Sequence, residues 1–188
     1  IEKYFEVIAD LRRRGFAVAT VDWRGQGLSE RRLRNRRKGH IDSFEEYDRD
    51  FDALVQQVAL PDCPPPYFAL AHSTGGLICL RAAHDGRMPF ERMVLASPLI
   101  GLGAKRPSQP VTYAATALVT AIGLGEMNLP RGRAGTIETT DFEDNPFTSD
   151  AGRFDRTLAI FKAFPDLAIG VATFGWLYAA CRAMAAAL

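Results

Sequence analysis

The sequence predicts an α/β fold in which a parallel sheet flanked by helices is followed by a helical region. As far as Pro98, short apolar runs alternate with amphipathic helical segments, an order typical of a parallel sheet with helices on both faces. One of these runs ends in a serine, and two glycines then open a helix. Hydrophobic residues make up 47% of the 188 positions and charged residues 24%, which favours a globular chain over a disordered one.

The first half of the chain supplies the predicted sheet. Helices are indicated by apolar residues that recur on one face, and strands by short runs of β-forming residues between turn signals. Ser43 and Glu46 have the spacing of a capping box, which predicts a helix start there. The predicted elements are a helix over Ile1–Arg14, a buried strand over Phe16–Val21, a helix over Phe44–Val58, a strand over Tyr67–Ala71, a helix over Gly75–Asp85 and a strand over Met93–Ala96.

The second half of the chain is predicted to be helical. A Gly/Pro-rich linker over Gly101–Pro110 separates the two parts, and no convincing strand pattern follows it. Asp150 is placed to cap the middle one of three predicted helices. These helices are Thr112–Ile122, Arg153–Phe164 and Thr173–Leu188. We therefore divide the chain into an α/β part, residues 1–105, and a helical part, residues 106–188.

Ser73 lies at the turn that carries the strongest chemical signal. The segment from Phe68 to Gly76 reads FALAHSTGG, an apolar strand that runs through a serine into a glycine-opened helix. A turn this tight strains the serine backbone, requires small neighbours and lifts the hydroxyl out of the sheet. Ala71 replaces the first glycine of the usual G-x-S-x-G pattern, a change of one methyl group. The alternative is a serine in an ordinary strand–helix turn, and the two glycines favour a nucleophile elbow.

The loop Asp22–Ser29, DWRGQGLS, is a second glycine-rich motif after a predicted strand. Its glycines permit a sharp loop, and Arg24 has the donors to hold it. No third glycine opens a helix, so the loop does not match a dinucleotide-binding fingerprint.

Three motifs together resemble the lysophospholipase and monoacylglycerol-lipase group of α/β-hydrolases, whose superfamily branch also contains serine aminopeptidase-like hydrolases. They are the loop DWRGQGLS, the Gly39-His40 pair before a capped helix, and AHSTGG around Ser73. The resemblance implies a partial α/β-hydrolase core followed by a helical cap, or lid. It implies cleavage of lipid carboxylic esters, most simply lysophospholipids or monoacylglycerols, through an acyl-enzyme on Ser73, with the Thr74 backbone N–H as oxyanion donor. Serine aminopeptidase-type hydrolysis and a non-catalytic binding module are the alternatives.

The catalytic partners of Ser73 are missing from the expected positions. In α/β-hydrolases the serine is followed first by an Asp or Glu and then by a His, yet no histidine follows His84. His40 precedes the serine, an order foreign to this fold, and a structural hydrogen-bonding role in its loop is the preferred interpretation. We therefore expect a fragment that lacks both ends and does not turn over substrate by itself. One parallel strand pair should remain, with the third strand detached.

Composition gives weaker predictions about partners. Three scattered cysteines show no metal-ligand spacing, which predicts no metal, no cofactor and reduced thiols in the cytoplasm, with packing as the role of Cys79. The net charge of +1 predicts no nucleic-acid partner. A basic run is most simply a solvated loop offset by acidic residues of the next helix. Contact with an anionic membrane surface, such as the inner membrane, is the second interpretation, and nucleic-acid binding is the third. The oligomeric state is not predicted. The run comprises Arg31, Arg32, Arg34, Arg36, Arg37 and Lys38.

Overall fold

The computed structural model describes residues 1–103, 107–130, 141–145 and 148–187. It divides into two compact units, each built from separated stretches of chain. The first unit contains Ile1–His40 and Glu126–Thr173, and the second contains Ile41–Gly125 and Phe174–Leu188. The domain boundary predicted at residue 105 lies outside the described residues and stays a prediction.

Six helices longer than one turn occur in the described part of the chain. Among these ranges no helix combines the length and apolar character needed to cross a bilayer. The helices predicted from residue 1 to 14, 75 to 85 and 153 to 164 are confirmed with shifts of one to a few residues at their ends. The six are α1 (Phe5–Arg13), α2 (Glu45–Leu54), α3 (Thr74–His84), α4 (Gln109–Val119), α5 (Ala151–Ala163) and α6 (Phe174–Ala186).

Shorter helical segments extend or connect these helices. π-Helical turns continue α2 and α4, and 3-10 turns precede α1 and flank α5. They are the 3-10 turns Glu2–Tyr4, Phe142–Asp144 and Pro165–Leu167, the π turns Val55–Ala59 and Thr120–Leu124, and the helical turn Leu60–Asp62.

The second unit contains the sheet that positions the site. Strands β1 (Phe68–His72) and β2 (Arg92–Ala96) pair in parallel, in a register that runs from Phe68 opposite Arg92 to His72 opposite Ala96. Helix α3 connects them, as a parallel pair requires. The intact parallel pair predicted from the sequence is therefore confirmed.

The buried strand predicted over Phe16–Val21 is wrong. These residues form no strand, and Phe16 is 46% exposed. A strand needs the N–H and C=O groups of a neighbour to complete its ladder. Within the described part of the first unit, only isolated bridges between Gly39 and Ala172 and between Asn128 and Thr173 occur. Among the described residues, the apolar run thus takes part in no strand ladder.

The core of the second unit lies between α2 and its neighbours α3 and α6. Phe44 and Tyr47 are almost fully buried, with ring centroids 5.1 Å apart, and the Tyr47 hydroxyl accepts a hydrogen bond from Trp176 Nε1 at 3.1 Å. Leu77 and Ile78 on α3 are completely buried. The buried side chains of Leu77 and Ile78 anchor the start of α3, which follows Ser73 directly.

The predicted cap at Asp150 is confirmed, whereas the predicted capping box at Ser43 forms only in part, because Ser43 Oγ is 3.4 Å from the Glu45 N–H and the helix begins one residue later. Glu46 Oε1 accepts from the N–H groups of Asp42 at 2.9 Å and Ser43 at 3.3 Å, which is the returning half of the capping box. At the start of α5, Asp150 Oδ1 accepts from the Arg153 N–H at 2.9 Å. The Asp150 contact satisfies an N–H group that the helix start leaves free, and the two Glu46 contacts hold the backbone that leads into α2.

Two acidic residues of α2 pair with arginines of their own unit. Asp48, 9% exposed, receives the Arg81 guanidinium through two contacts of 2.6 Å and 3.3 Å. Asp52 pairs with Arg87 at 2.7 Å, and Arg87 also lies 3.4 Å from Asp48. These carboxylates are thus neutralised by arginines that follow β1, and the contact with Asp48 raises the pKa of Arg81.

Candidate active site at the strand–helix turn

Ser73 occupies the single residue between β1 and α3, and its backbone is strained. Its φ of 52° and ψ of −118° lie in a region that side-chain-bearing residues rarely adopt. Strain of this kind persists only where the surroundings impose it, and it concentrates at functional sites. The strained turn predicted for a nucleophile elbow is therefore present at Ser73, whose side chain is half-buried.

Backbone hydrogen bonds fix the Ser73 peptide on both sides. The Ser73 N–H donates to the Ala96 carbonyl at 3.2 Å. The Ser73 carbonyl accepts from the Leu77 N–H of α3 at 3.2 Å and from the Leu99 N–H at 3.0 Å. The end of β2 and the start of α3 therefore determine the serine conformation together.

Position 76 requires a glycine because Pro98 occupies the space that a side chain would fill. A Cβ on Gly76 would lie 2.7 Å from Pro98 Cβ and 2.9 Å from Pro98 Cα. Both distances are shorter than carbon atoms tolerate without movement. This contact gives the physical reason for the second glycine after Ser73.

Thr74 is the first residue of α3, so its N–H has no acceptor within the helix. A helix start concentrates partial positive charge, which favours a negative oxygen nearby. The Thr74 N–H therefore lies at the start of α3, directly after Ser73.

The described residues place no triad on Ser73. They provide no hydrogen-bond partner for its side chain. His40 is buried and its Nδ1 lies 2.7 Å from Thr173 Oγ1, which confirms the structural role preferred from the sequence. His84 is exposed at the last residue of α3. His72 ends β1 and is also exposed.

An apolar pocket of about 260 Å³ lies in the second unit, beyond the turn that follows β2. Leu99 forms part of its wall, and the Leu99 N–H donates a hydrogen bond to the Ser73 carbonyl. Trp176 lines it from α6. The lining residues are Leu99, Gly101, Leu102, Gly103, Trp176, Leu177 and Ala180.

The glycine-rich loop of the first unit is closed by a residue that the sequence interpretation assigned to the basic run. Arg31 donates to the Gly25 carbonyl and, at 2.8 Å, to the Gly27 carbonyl. The Ser29 hydroxyl donates to the Asp22 carbonyl across the same loop. Arg31 therefore makes loop-closing contacts that the sequence did not assign to it.

Cys79 packs in the core of the second unit. Cys79 on α3 is 6% exposed, and burial raises the pKa of its thiol to about 11. A thiol that stays protonated at neutral pH is a poor nucleophile, so its predicted packing role is confirmed. Across the part of the chain that the structure describes, no cluster of His, Cys, Asp and Glu could hold a metal ion.

The sequence matches the family described as "Serine aminopeptidase, S33" over residues 1–188. The chain belongs to this family. Among its relatives, lysophospholipase L2 of Escherichia coli strain K12 is 30% identical to this chain over 181 residues. The match covers 93% of this chain and 51% of that protein. Monoglyceride lipase of Rattus norvegicus is 28% identical over 153 residues, 80% of this chain and 49% of that protein. The chain thus spans about half the length of the curated relatives it matches.

Solved structures identify the fold of this S33 family member as that of α/β-hydrolases. The monoacylglycerol lipase of Paleococcus ferrophilus superposes with a TM-score of 0.68 over 98% of this chain and 61% of that one, at 22% identity. A carboxyl esterase of Bacillus coagulans gives a TM-score of 0.61 over 98% and 59% of the two chains, at 18% identity. At these identities the likeness concerns the fold, and it confirms the fold class predicted from the sequence.

Proposed function

We propose that the natural protein containing this chain is a serine hydrolase that cleaves carboxylic esters of lipids, with Ser73 as its nucleophile. The observation that carries the proposal is the left-handed Ser73 backbone between β1 and α3. A strained serine at a strand-to-helix turn is the geometry that exposes a nucleophilic hydroxyl in α/β-hydrolases.

The proposed reaction proceeds through an acyl-enzyme. Ser73 Oγ adds to the ester carbonyl carbon as a base takes its proton, and the Thr74 N–H stabilises the resulting oxyanion. The C–O bond to the alcohol then breaks, and the proton passes from the base to the leaving oxygen. Water, activated by the same base, releases the fatty acid and restores the Ser73 hydroxyl.

The base and its supporting acid are proposed to come from residues other than these 188. No histidine follows His84, and the family order places both groups after the serine. The span of about half of each relative is consistent with this assignment. We therefore expect these 188 residues alone to be inactive.

The proposed substrates are lysophospholipids or monoacylglycerols. The printed names of the relatives favour these substrates, and an apolar pocket adjoins Leu99, the residue whose N–H is bonded to the Ser73 carbonyl. The family description favours the alternative, hydrolysis of aminoacyl substrates by a serine aminopeptidase.

Hydrolysis assays on the natural protein test this proposal. Wild type, Ser73→Ala and the control Ser108→Ala would be given monoacylglycerols, lysophospholipids and aminoacyl amides. Ser108 is an exposed serine in the second unit with an ordinary φ of −54°. We expect ester hydrolysis by wild type and the control, with a loss of more than about 10³-fold in Ser73→Ala. Hydrolysis of the amides alone would select the aminopeptidase, and inactivity of the wild type on all three would favour a binding module.

A further inference from the structure

Ser97 is the other described residue besides Ser73 that bears a side chain and has a positive φ. Its φ is 45°, and it follows β2 as Ser73 follows β1. His72 and Ala96 are paired at the ends of β1 and β2. The two strained serines therefore directly follow the ends of neighbouring parallel strands. Left-handed backbone is unfavourable for a residue with a Cβ, and a residue before proline is driven towards extended backbone. The strain at Ser97 therefore needs a structural explanation.

The turn made by Ser97 brings the next two residues onto the nucleophile turn. Pro98 takes the space beside Gly76, at 2.7 Å from the position of a Cβ there. The Leu99 N–H then donates to the Ser73 carbonyl at 3.0 Å. With a Ser97 of ordinary φ, the chain would leave β2 in another direction and neither contact would form.

We propose that Ser97 is a positioning residue for Ser73. Its left-handed backbone aims Pro98 and Leu99 at the strand–helix turn, and these contacts hold the Ser73 peptide in its own strained conformation. Ser97 acts through backbone geometry, and its hydroxyl is not required. We call the contacts of Pro98 with Gly76 and of Leu99 with the Ser73 carbonyl the brace. The effect on catalysis rests on the proposed function of Ser73, whereas the existence of the brace does not.

Three variants of the natural protein distinguish the contribution of the Ser97 backbone conformation from that of its hydroxyl group. Ser97→Gly removes the hydroxyl but adopts a positive φ freely, so kcat and KM should stay within about threefold of wild type. Ser97→Val strongly disfavours a positive φ, so kcat should fall at least about tenfold with KM changed less than about threefold. The matched control Ser108→Val, at a φ of −54°, should behave as wild type. Loss of kcat in Ser97→Gly equal to that in Ser97→Val would overturn the proposal, as would full activity in Ser97→Val.

Amide hydrogen exchange provides a readout that does not depend on activity. In the wild type the Leu99 N–H should exchange at least about 100-fold more slowly than in an unstructured peptide, because it is bonded to the Ser73 carbonyl. Protection should persist in Ser97→Gly and be lost in Ser97→Val. If Ser97→Val does not fold, the exchange rates of the wild type and of Ser97→Gly test the proposal by themselves. An unprotected Leu99 amide in either protein contradicts the brace.

The two proposals fail in different ways. A wild type with a protected Leu99 amide and no ester hydrolysis would contradict the proposed function and leave the brace intact. A wild type that hydrolyses esters with an unprotected Leu99 amide would contradict the brace alone.

Discussion

At the scale of single residues, the nucleophile turn depends on an absent methyl group. Gly76 meets Pro98 so closely that any side chain there must push the end of β2 away from α3. Since the same segment carries the Leu99 N–H to the Ser73 carbonyl, this displacement reaches the serine directly. Smallness at Gly76 is therefore a requirement of the turn.

Replacing Gly76 by alanine should destabilise the protein and impair Ser73 together. We expect Gly76→Ala to lower the free energy of unfolding by about 1–3 kcal/mol, because the added Cβ overpacks against Pro98. The control Gly152→Ala adds a methyl group in α5, where its nearest neighbour is Asp150 Oδ1 at 3.4 Å. Alanine favours a helix, so the control should be neutral or slightly stabilising. Denaturant unfolding of both variants checks this, and equal stabilities would contradict the packing argument.

The residues predicted correctly from sequence are those whose partners lie nearby in the chain. The strained turn at Ser73 and the cap at Asp150 follow from local spacing, because a strand–helix turn and a helix start impose their geometry within a few residues. The role of Ser73 as nucleophile stays a prediction. Arg31 could not be separated from its basic neighbours, since which arginine reaches the Gly25 carbonyl depends on the folded loop. The turn at Ser97 was missed because Ser-Pro carries no signal for a positive φ.

At the scale of elements, α2 and α3 are joined by an ion pair in addition to their apolar faces. Asp48 and Arg81 are both largely buried, with side chains 12% exposed, and Arg87 adds a second cation to Asp48. A pair removed from water is costly to break from one side, because the remaining charge stays desolvated. This pair fixes the helix that begins beside Ser73.

Removing the Asp48 carboxylate should therefore be strongly destabilising. We expect Asp48→Ala to lower the free energy of unfolding by about 3 kcal/mol, the low end for a buried pair, since both side chains keep some exposure. Asp62→Ala provides the control, because Asp62 is exposed at the end of a helical turn. Thermal or denaturant unfolding distinguishes the two, and a loss below about 0.5 kcal/mol in Asp48→Ala would show that the pair is dispensable.

Strand prediction succeeded only where a neighbour was available. The run Tyr67–Ala71 has a parallel partner in Met93–Ala96, and both formed strands with boundaries within about one residue of those predicted. Phe16–Val21 has equally good local propensity but forms no ladder among the described residues. Local propensity identifies a candidate strand, and the hydrogen-bonding neighbour decides whether it forms.

At the scale of the whole molecule, family and fold are established while activity is proposed. The S33 match extends over all 188 residues, and the fold is that of α/β-hydrolases. The chain nevertheless spans about half of its curated relatives, and the described residues provide the Ser73 side chain with no base. The order of the sequence motifs predicted both the serine and the lack of partners after it.

Covalent labelling with a fluorophosphonate, mapped by mass spectrometry, tests the central claim most directly. The probe forms a stable bond only with a serine that is activated as a nucleophile. We predict that the natural protein is labelled at Ser73, that Ser73→Ala abolishes the label, and that Ser108→Ala leaves it unchanged. The 188 residues alone should react at least about 100-fold more slowly, since the proposed base lies outside them. A label on another residue, or one that persists in Ser73→Ala, would contradict the assignment of Ser73 as the nucleophile.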